Sequence, residues 1–361
     1  MLVLSNEDIE KVLSMKTFLE VLENSLSELA AGRAVSRYMQ ELYDPRHIES
    51  EIAEAYVLKT MDGLIPFYSA SAIRMNSDLI RWEKHEGTYR KNKIPVAAGR
   101  KWVGLIFLFN TTTGAMSGIL PDGYIQRMRV GAMGGLSAKY LARKNSTNVG
   151  LLGSGWQAGA QIMAVSEVIS IKRVKVYSPT AENREKFAKD FGKSLAIEIQ
   201  PVPSAEEAVE GADIVIAATS SLEPVIDAKW AKEGMHLISV RLPEFDSATL
   251  RKCTVWTASK IPGGLSVRNV SLAIGGTDKI PVRDKDRIAP GIDPNTFPEL
   301  APLVARKESG RKNDKEITCF MIRGDTGMQF AAIGAKTIEL ARTHGLGREL
   351  PDEWFCQDYH P

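Results

Sequence analysis

Apolar residues along this chain recur at two spacings, and the changes of spacing divide it. Near the start, Phe18, Leu22, Leu26 and Leu29 follow one another at helical intervals, behind Ser14 and ahead of Gly32. That pattern predicts a capped helix whose four repeating residues are core. Ser5 or Asn6 is expected to cap a shorter helix before it. From Ala53 to about Gly118 the runs AEAYVLKTM, IPFYSASAIRM, KWVGLIFLFN and GAMSGIL are broken by Gly, Pro and Asn. They predict a mainly antiparallel sheet, with TTTG at 111–114 as a hairpin turn.

Helical spacing returns after Pro121-Asp122-Gly123. The segment YIQRMRVGAMGGLSAKYLARK is rich in small residues and suits a linking helix packed closely against a neighbour. Six short runs follow: VGLLG (149–153), RVKVYS (173–178), AIEIQPV (196–202), DIVIAAT (213–219), HLISV (236–240) and CTVWTAS (253–259). Helix-like segments or loops separate most of them, the rhythm of a doubly wound parallel sheet. Residues 262–320 are rich in Gly, Pro and charge and predict loops with one short helix near 297–306. TGMQFAAIGAKTIELARTHGLG then reads as an amphipathic helix, ended by Gly345 or Gly347, that returns to the first domain. The fold class is α/β: a Rossmann-type doubly wound domain over 125–324, and a second, α+β domain from 1–124 plus 325–361.

Charge narrows the function classes. Lys and Arg number 46 against 44 Asp and Glu, a formal net charge of +2, with no long basic run, so nucleic acid is not an expected partner. The three cysteines, Cys253, Cys319 and Cys356, are too few and too far apart for a disulfide or zinc framework. His47 has no second histidine or cysteine at ligand spacing, and no metal site is expected. The N-terminal run MLVLSNEDIEKV carries acids where a secretory leader carries lysines, and no stretch approaches a membrane span. A soluble, cytoplasmic protein is the expectation.

The chemistry begins at NVGLLGSGWQAGAQ, residues 148–161. A strand that ends, turns sharply and opens a helix aims backbone N–H groups at a pyrophosphate. Here Gly153 stands at the turn, Gly155 where a side chain would block the phosphate, and Ala158 at the helix–strand contact, with Ser154, Trp156 and Gln157 between them. A bare GxGxxA string is weak. Its position between a strand and a helix, with another strand about twenty residues on, makes it a dinucleotide site. That second strand ends in KVYSPTAENR, without the carboxylate that would grip the ribose of NAD. Ser178, Thr180 and Arg184 can receive a 2'-phosphate, so the reading favours NADP over NAD; a polar turn with a helix cap is the plainer alternative.

RMRVGAMGGLSAKYLARKNSTNVGLLGSGWQAGAQ, with EEAVEGADIVIAATSSLEPV, resembles the ornithine cyclodeaminase and mu-crystallin family. The ending from GMQFAAIGAK onward, with VYSPT, is similar to a subgroup known as the B-type component of tyramine oxidase. The resemblance implies a substrate-binding and dimerisation domain, a central NAD(P)-binding domain, and a homodimer. It implies reduction of imino acids, dehydrogenation of amino acids, or cyclising deamination with bound NAD; a non-catalytic NADPH-binding accessory protein is the alternative from another class. By resemblance Thr219 and Ser220 join the cofactor site. Arg129 matches the arginine that clamps the substrate carboxylate, and Arg37 a second substrate arginine. The nearest match to the family's acid/base lysine is Arg81, in DLIRWEKHEG. Arginine stays protonated, so Lys84 or His85 could substitute, Arg81 could hold a second acidic group, or all could line a solvated turn. After HLISV the family's aspartate lacks a counterpart: Arg241 takes that neighbourhood, and Glu244 and Asp246 match a later acidic pair. Asp325 and Gln329 are possible pocket residues.

Overall fold

The computed structural model describes the chain except residues 38, 49–51, 86–87, 100, 222, 242–243, 259–265, 271–290, 294–295, 323–325 and 360–361. Two sheets organise it. The first is built of β1 (Leu2–Val3), β2 (Val35–Ser36), β3 (Met39–Ile48), β4 (Ile52–Ile65), β5 (Ala70–His85), β6 (Thr88–Ile94), β7 (Val103–Asn110) and β8 (Met116–Pro121). The second contains β9 (Asn148–Leu152), β10 (Arg173–Tyr177), β11 (Glu198–Pro201), β12 (Ile214–Ala217), β13 (His236–Ser239) and β14 (Thr254–Thr257). Of the later strands, β15 (Ser266–Val270) returns to the first sheet, β16 (Thr318–Met321) completes the second, and β17 (Arg348–Glu349) edges the first.

The second sheet is parallel throughout, in the order β11-β10-β9-β12-β13-β16-β14. Strand order reverses between β9 and β12, so the crevice beyond their C-terminal ends is the switch point at which such sheets bind ligands. Its helices are α4 (Trp156–Val168), α5 (Ala181–Leu195), α6 (Ala205–Val209) and α7 (Ser247–Arg251). The six strand runs of the sequence all appear. One more, β16, is hidden in the charged stretch 262–320; all four of its residues are buried, and it sits between β13 and β14. The four residues TCFM, just after RKNDKEI, are too short a run to show a period from which to infer a strand. The short helix expected near 297–306 is α8 (Leu300–Val304).

The first sheet runs β15-β3-β4-β5-β7-β8-β1-β17, with β2 on β4 and β6 on β5. Strand β3 escapes the sequence pattern because Pro45 and its charged neighbours break the alternation; a bulge between Pro45 and His47 absorbs the proline. Helices α1 (Asn6–Val12) and α2 (Met15–Ala30) start at Ser5 and Ser14, whose hydroxyls accept from Asp8 N–H and Thr17 N–H. Phe18, Leu22 and Leu26 of α2 are fully buried, each contributing about 1.5–3 kcal/mol. The C-terminal helix α9 (Thr326–Thr343) lies across β4, β5, β7 and β8, as its amphipathic pattern implied. The fit is close: a Cβ on Gly63 would run into the backbone of Gly327 and Met328. Helix α3 (Gly123–Leu141) joins the two halves, and its Gly131, Gly134 and Gly135 meet Ala160, Gln161 and Ala164 of α4 without room for a Cβ.

Candidate functional site

The dinucleotide loop has the geometry its spacing predicts. Gly153 leaves β9 with φ +108°, and a Cβ there would strike the Ala218 carbonyl, so only glycine fits the turn. Gly155 caps α4 with no side-chain hydrogen bond, and the space a Cβ would occupy is open. The first N–H groups of α4 therefore face an open cradle, which suits a pyrophosphate. Ala158 is fully buried in the core shared by α4 and the parallel sheet. Trp156 is 55% exposed; the Arg127 guanidinium lies 5.3 Å from its ring, and Arg127 Nε donates to its carbonyl at 3.0 Å. Through Arg127, α3 is tied to the loop.

At the end of β10, Ser154 Oγ donates to Ser178 Oγ at 2.9 Å, and Ser178 Oγ to the Thr180 carbonyl at 3.2 Å. Arg184 Nη1 donates to the Ser178 carbonyl at 2.9 Å, and Thr180 starts α5 without a side-chain cap. Beyond β12, Thr219 gives both its N–H (2.7 Å) and its hydroxyl (2.9 Å) to Glu244 Oε1, while Ser220 is exposed. Glu244 also accepts from the N–H groups of Val240 and Arg241. Burial pushes this carboxyl's pKa up, against the lowering effect of those donors. It serves as a buried tie between the ends of β12 and β13, and Asp246 caps α7. Arg241 follows β13 at the C-terminal edge of the parallel sheet.

A second candidate cluster gathers around Phe330 on α9. Arg129 of α3 and Arg74 of β5 each hold a guanidinium 5.3 Å from that ring. Both are buried, and they differ in their partners. Arg74 donates through Nε to Asp122 Oδ2 at 2.7 Å, with Nη2 2.5 Å from the same atom; Asn76 Nδ2 adds a third bond at 3.1 Å. Arg129 meets only amides among the described residues: Gln126 Oε1 at 3.1 and 2.8 Å, and Gln329 Oε1 at 3.4 Å. Burial, and then the Arg74 charge, lower its pKa from 12.5 to about 9. Asp122 only partly offsets this, and among the described residues no carboxylate pairs with Arg129, so a carboxylate ligand would add the favourable charge in the fork geometry arginine favours.

Several expected site residues lie elsewhere. Arg81 is seven residues past Arg74, about 23 Å along the strand and on the opposite face of the pleat. It is half-exposed and bonds Glu54 Oε1 at 2.6 Å. Lys84 and His85 end β5 farther out, opposite Tyr89 and Thr88 of β6. The geometry thus separates all three from Arg129, and Arg74 is the basic residue of β5 that shares its site. Strand parity was the missed signal. Ala70, Ala72, Ile80 and Trp82 are buried at even positions, so Arg74, Asn76 and Asp78 must point inward with them. Arg37 is largely exposed and bonds Asp62 Oδ2 at 2.6 Å, near the start of α9. Gln329 is buried beside Arg129; Asp325 lies outside the described residues. No group of residues able to hold a metal occurs among those described, and no described helix is long and apolar enough to cross a membrane.

Residues 1–333 match the ornithine cyclodeaminase/mu-crystallin family, and the chain belongs to it. Among solved structures it is similar to the Thermococcus litoralis Delta(1)-pyrroline-2-carboxylate reductase in complex with NADH and L-proline. The two share 32% identity and a TM-score of 0.75, over 97% of this chain and 100% of that one. An archaeal alanine dehydrogenase dimer with bound NAD has the same fold, at 23% identity and a TM-score of 0.73 over 97% and 99% of the two chains. In sequence, alanine dehydrogenase of Archaeoglobus fulgidus is 27% identical over 97% of this chain and 98% of its own.

Proposed function

We propose that this chain is an NAD(P)-dependent oxidoreductase acting at the carbon–nitrogen bond of a small α-imino or α-amino acid, in the manner of an imino acid reductase. The observation that carries the reading is Arg129, a buried guanidinium whose hydrogen-bond partners among the described residues are amides, on the same helix that touches the dinucleotide loop through Arg127. The cofactor, when bound, supplies or accepts the hydride. The protein's own residues do the rest. Arg129 grips the substrate carboxylate with two parallel hydrogen bonds, and Gln126 and Gln329 hold its plane. Arg74, fixed by Asp122, forms the wall that sets the substrate's depth against Phe330. Positioning of this kind converts an encounter into an oriented, effectively unimolecular reaction.

The finer reading of the cofactor is NADP. The hydroxyl pair of Ser154 and Ser178 stands where a carboxylate would repel the 2'-phosphate, and Arg184 is within reach of that corner. The partner is a second copy of this chain. The outer face of the first sheet presents Leu42, Ile52, Ile73 and Val103 to solvent, with Leu105 and Phe107 half-buried beside them. Such an apolar sheet face suits a homodimer interface. The similarity of the C-terminal stretch to the B-type component of tyramine oxidase supports a subgroup within the family.

Titration of the purified protein with NADPH and NADH, followed by a panel of cyclic imino acids and keto acid plus amine pairs, tests the reading. Consumption of reduced nicotinamide, lost in Arg129→Met, is the expected result. Tight nucleotide binding with ammonia release and no net consumption would replace it with a cyclodeaminase. Binding with neither would leave a non-catalytic accessory protein.

A further inference from the structure

The inner face of the first sheet holds a buried ammonium that the clamp does not use. Lys59 lies on β4, and its side chain is only 14% exposed. The β4–β5 register sets it directly opposite Asn76, whose amide bonds Asp122, the anchor of Arg74. Met61, the next inward residue of β4, stands opposite Arg74, with its sulfur 3.8 Å from Arg74 Nη1. Lys59 is therefore the diagonal neighbour of Arg74 on the same face, with Cα atoms about 7–8 Å apart. A lysine stem spans such a gap.

The charges around it come from every strand it meets. Glu41 of β3 approaches Lys59 Nζ at 3.5 Å. Asp78 of β5 is nearby, with its Oδ2 2.8 Å from Lys93 Nζ of β6 as an ion pair. Arg74, bonded to Asp122, stands one diagonal step along the same face. Burial is the largest influence and pushes the ammonium's pKa down; Glu41 and Asp78 oppose it, and Lys93 assists it. Neither arginine of the site can exchange a proton near neutrality. A desolvated lysine can.

We infer that Lys59, reaching across from the strand beside Arg74, exchanges the proton with the substrate nitrogen. The inference rests on the oxidoreductase reading. In reduction, the hydride from NAD(P)H forms the new C–H bond, and the π pair of C=N moves to nitrogen. That pair takes a proton from Lys59 Nζ. The products are the amine, NAD(P)⁺ and a neutral Lys59, which water reprotonates. Oxidation runs the same steps backwards, with neutral Lys59 as base.

The test compares Lys59→Met, Lys59→Arg and Glu41→Gln with wild type by kcat, KM and pH profile in both directions. Both Lys59 variants are expected to lose about 10²–10⁴-fold in kcat, with KM for the dinucleotide within a few-fold of wild type. The wild-type reductive profile falls as pH rises through the Lys59 pKa, below the ordinary lysine range, and the oxidative profile rises there. Glu41→Gln removes a neighbouring negative charge and moves both limbs to lower pH. A readout independent of turnover is the affinity of pyrrole-2-carboxylate, an unreactive planar carboxylate, with NADPH present. It should weaken through the same pH in wild type and be flat in Lys59→Met. Near-normal turnover in Lys59→Arg would make Lys59 an ionic strut and overturn the inference alone. An unchanged limb in Lys59→Met would do the same. Failure of the wild type with every substrate would overturn the oxidoreductase reading as well.

Discussion

The two halves of the molecule place their chemistry differently. The nucleotide loop is six consecutive residues, Gly153 to Ala158, at one strand–helix junction, and a local turn fixes every one of them. The candidate substrate cluster draws Met61 and Arg74 from neighbouring strands, Asp122 and Arg129 from the start of α3, and Gln329 and Phe330 from α9. A local motif can thus be read from the chain, whereas a tertiary site needs the phase of each strand. The lesson extends to charge. Two buried arginines share one aromatic ring, yet Arg74 is ion-paired with Asp122 while the hydrogen-bond partners of Arg129 among the described residues are amides.

Acid should break the nucleotide half first. His236 begins β13, fully buried, with its ring nitrogens 3.1 Å from Ser137 Oγ and 2.9 Å from Thr318 Oγ1. Burial, aided by Arg311, lowers its pKa from 6.5 to about 3. The unfolded chain binds this proton more readily than the folded one, so the histidine's share of stability is intact above pH 6.5 and lost as pH falls toward 3. That share is on the order of 5 kcal/mol. Denaturant melts across this window should show it, and His236→Gln should flatten the slope; equal slopes in the two proteins would discount the effect.

The two buried arginines should then part company. Arg74→Met leaves Asp122 buried without its cation and is expected to cost about 3–5 kcal/mol of stability in chemical unfolding. Arg129→Met removes a buried charge that has no ion pair among the described residues, so its unfolding midpoint should fall much less than that of Arg74→Met. Its turnover should fall about 100-fold or more, equivalent to roughly 3 kcal/mol of transition-state stabilisation. Equal stability losses in the two variants would contradict the distinction drawn between them. The smallest effect belongs to Arg81→Ala. Its half-exposed pair with Glu54 stands away from the site, and kcat/KM within about twofold of wild type is the expected outcome.

Much of this was legible beforehand because helices and parallel strands write their periods locally. The caps at Ser5 and Ser14, the glycine seam of α3 and six strands of the parallel sheet follow from spacing alone. What escaped was set at long range. Strand β16 is too short to show a period, β3 is interrupted by Pro45, and β15 leaves the loop-rich stretch to pair with β3. The resemblance singles out Arg81, as the nearest match to the family's acid/base lysine, and Arg74 is not among the residues it suggests. The inward phase of Ala70, Ala72, Ile80 and Trp82 distinguishes the two.

The return of α9 also dictates a schedule of synthesis. Ile65, Ala70, Ala72, Ile106, Leu108 and Leu120 bury their side chains in the core that Phe330, Ile333 and Ile338 complete. On the ribosome these strands emerge some two hundred residues before the helix that covers them. The nucleotide unit, with its short βα steps, can close while the earlier sheet still has an uncovered apolar face. Nascent chains stalled before α9 should therefore depend on a chaperone, and a release that shortens the C-terminus should send them to aggregation.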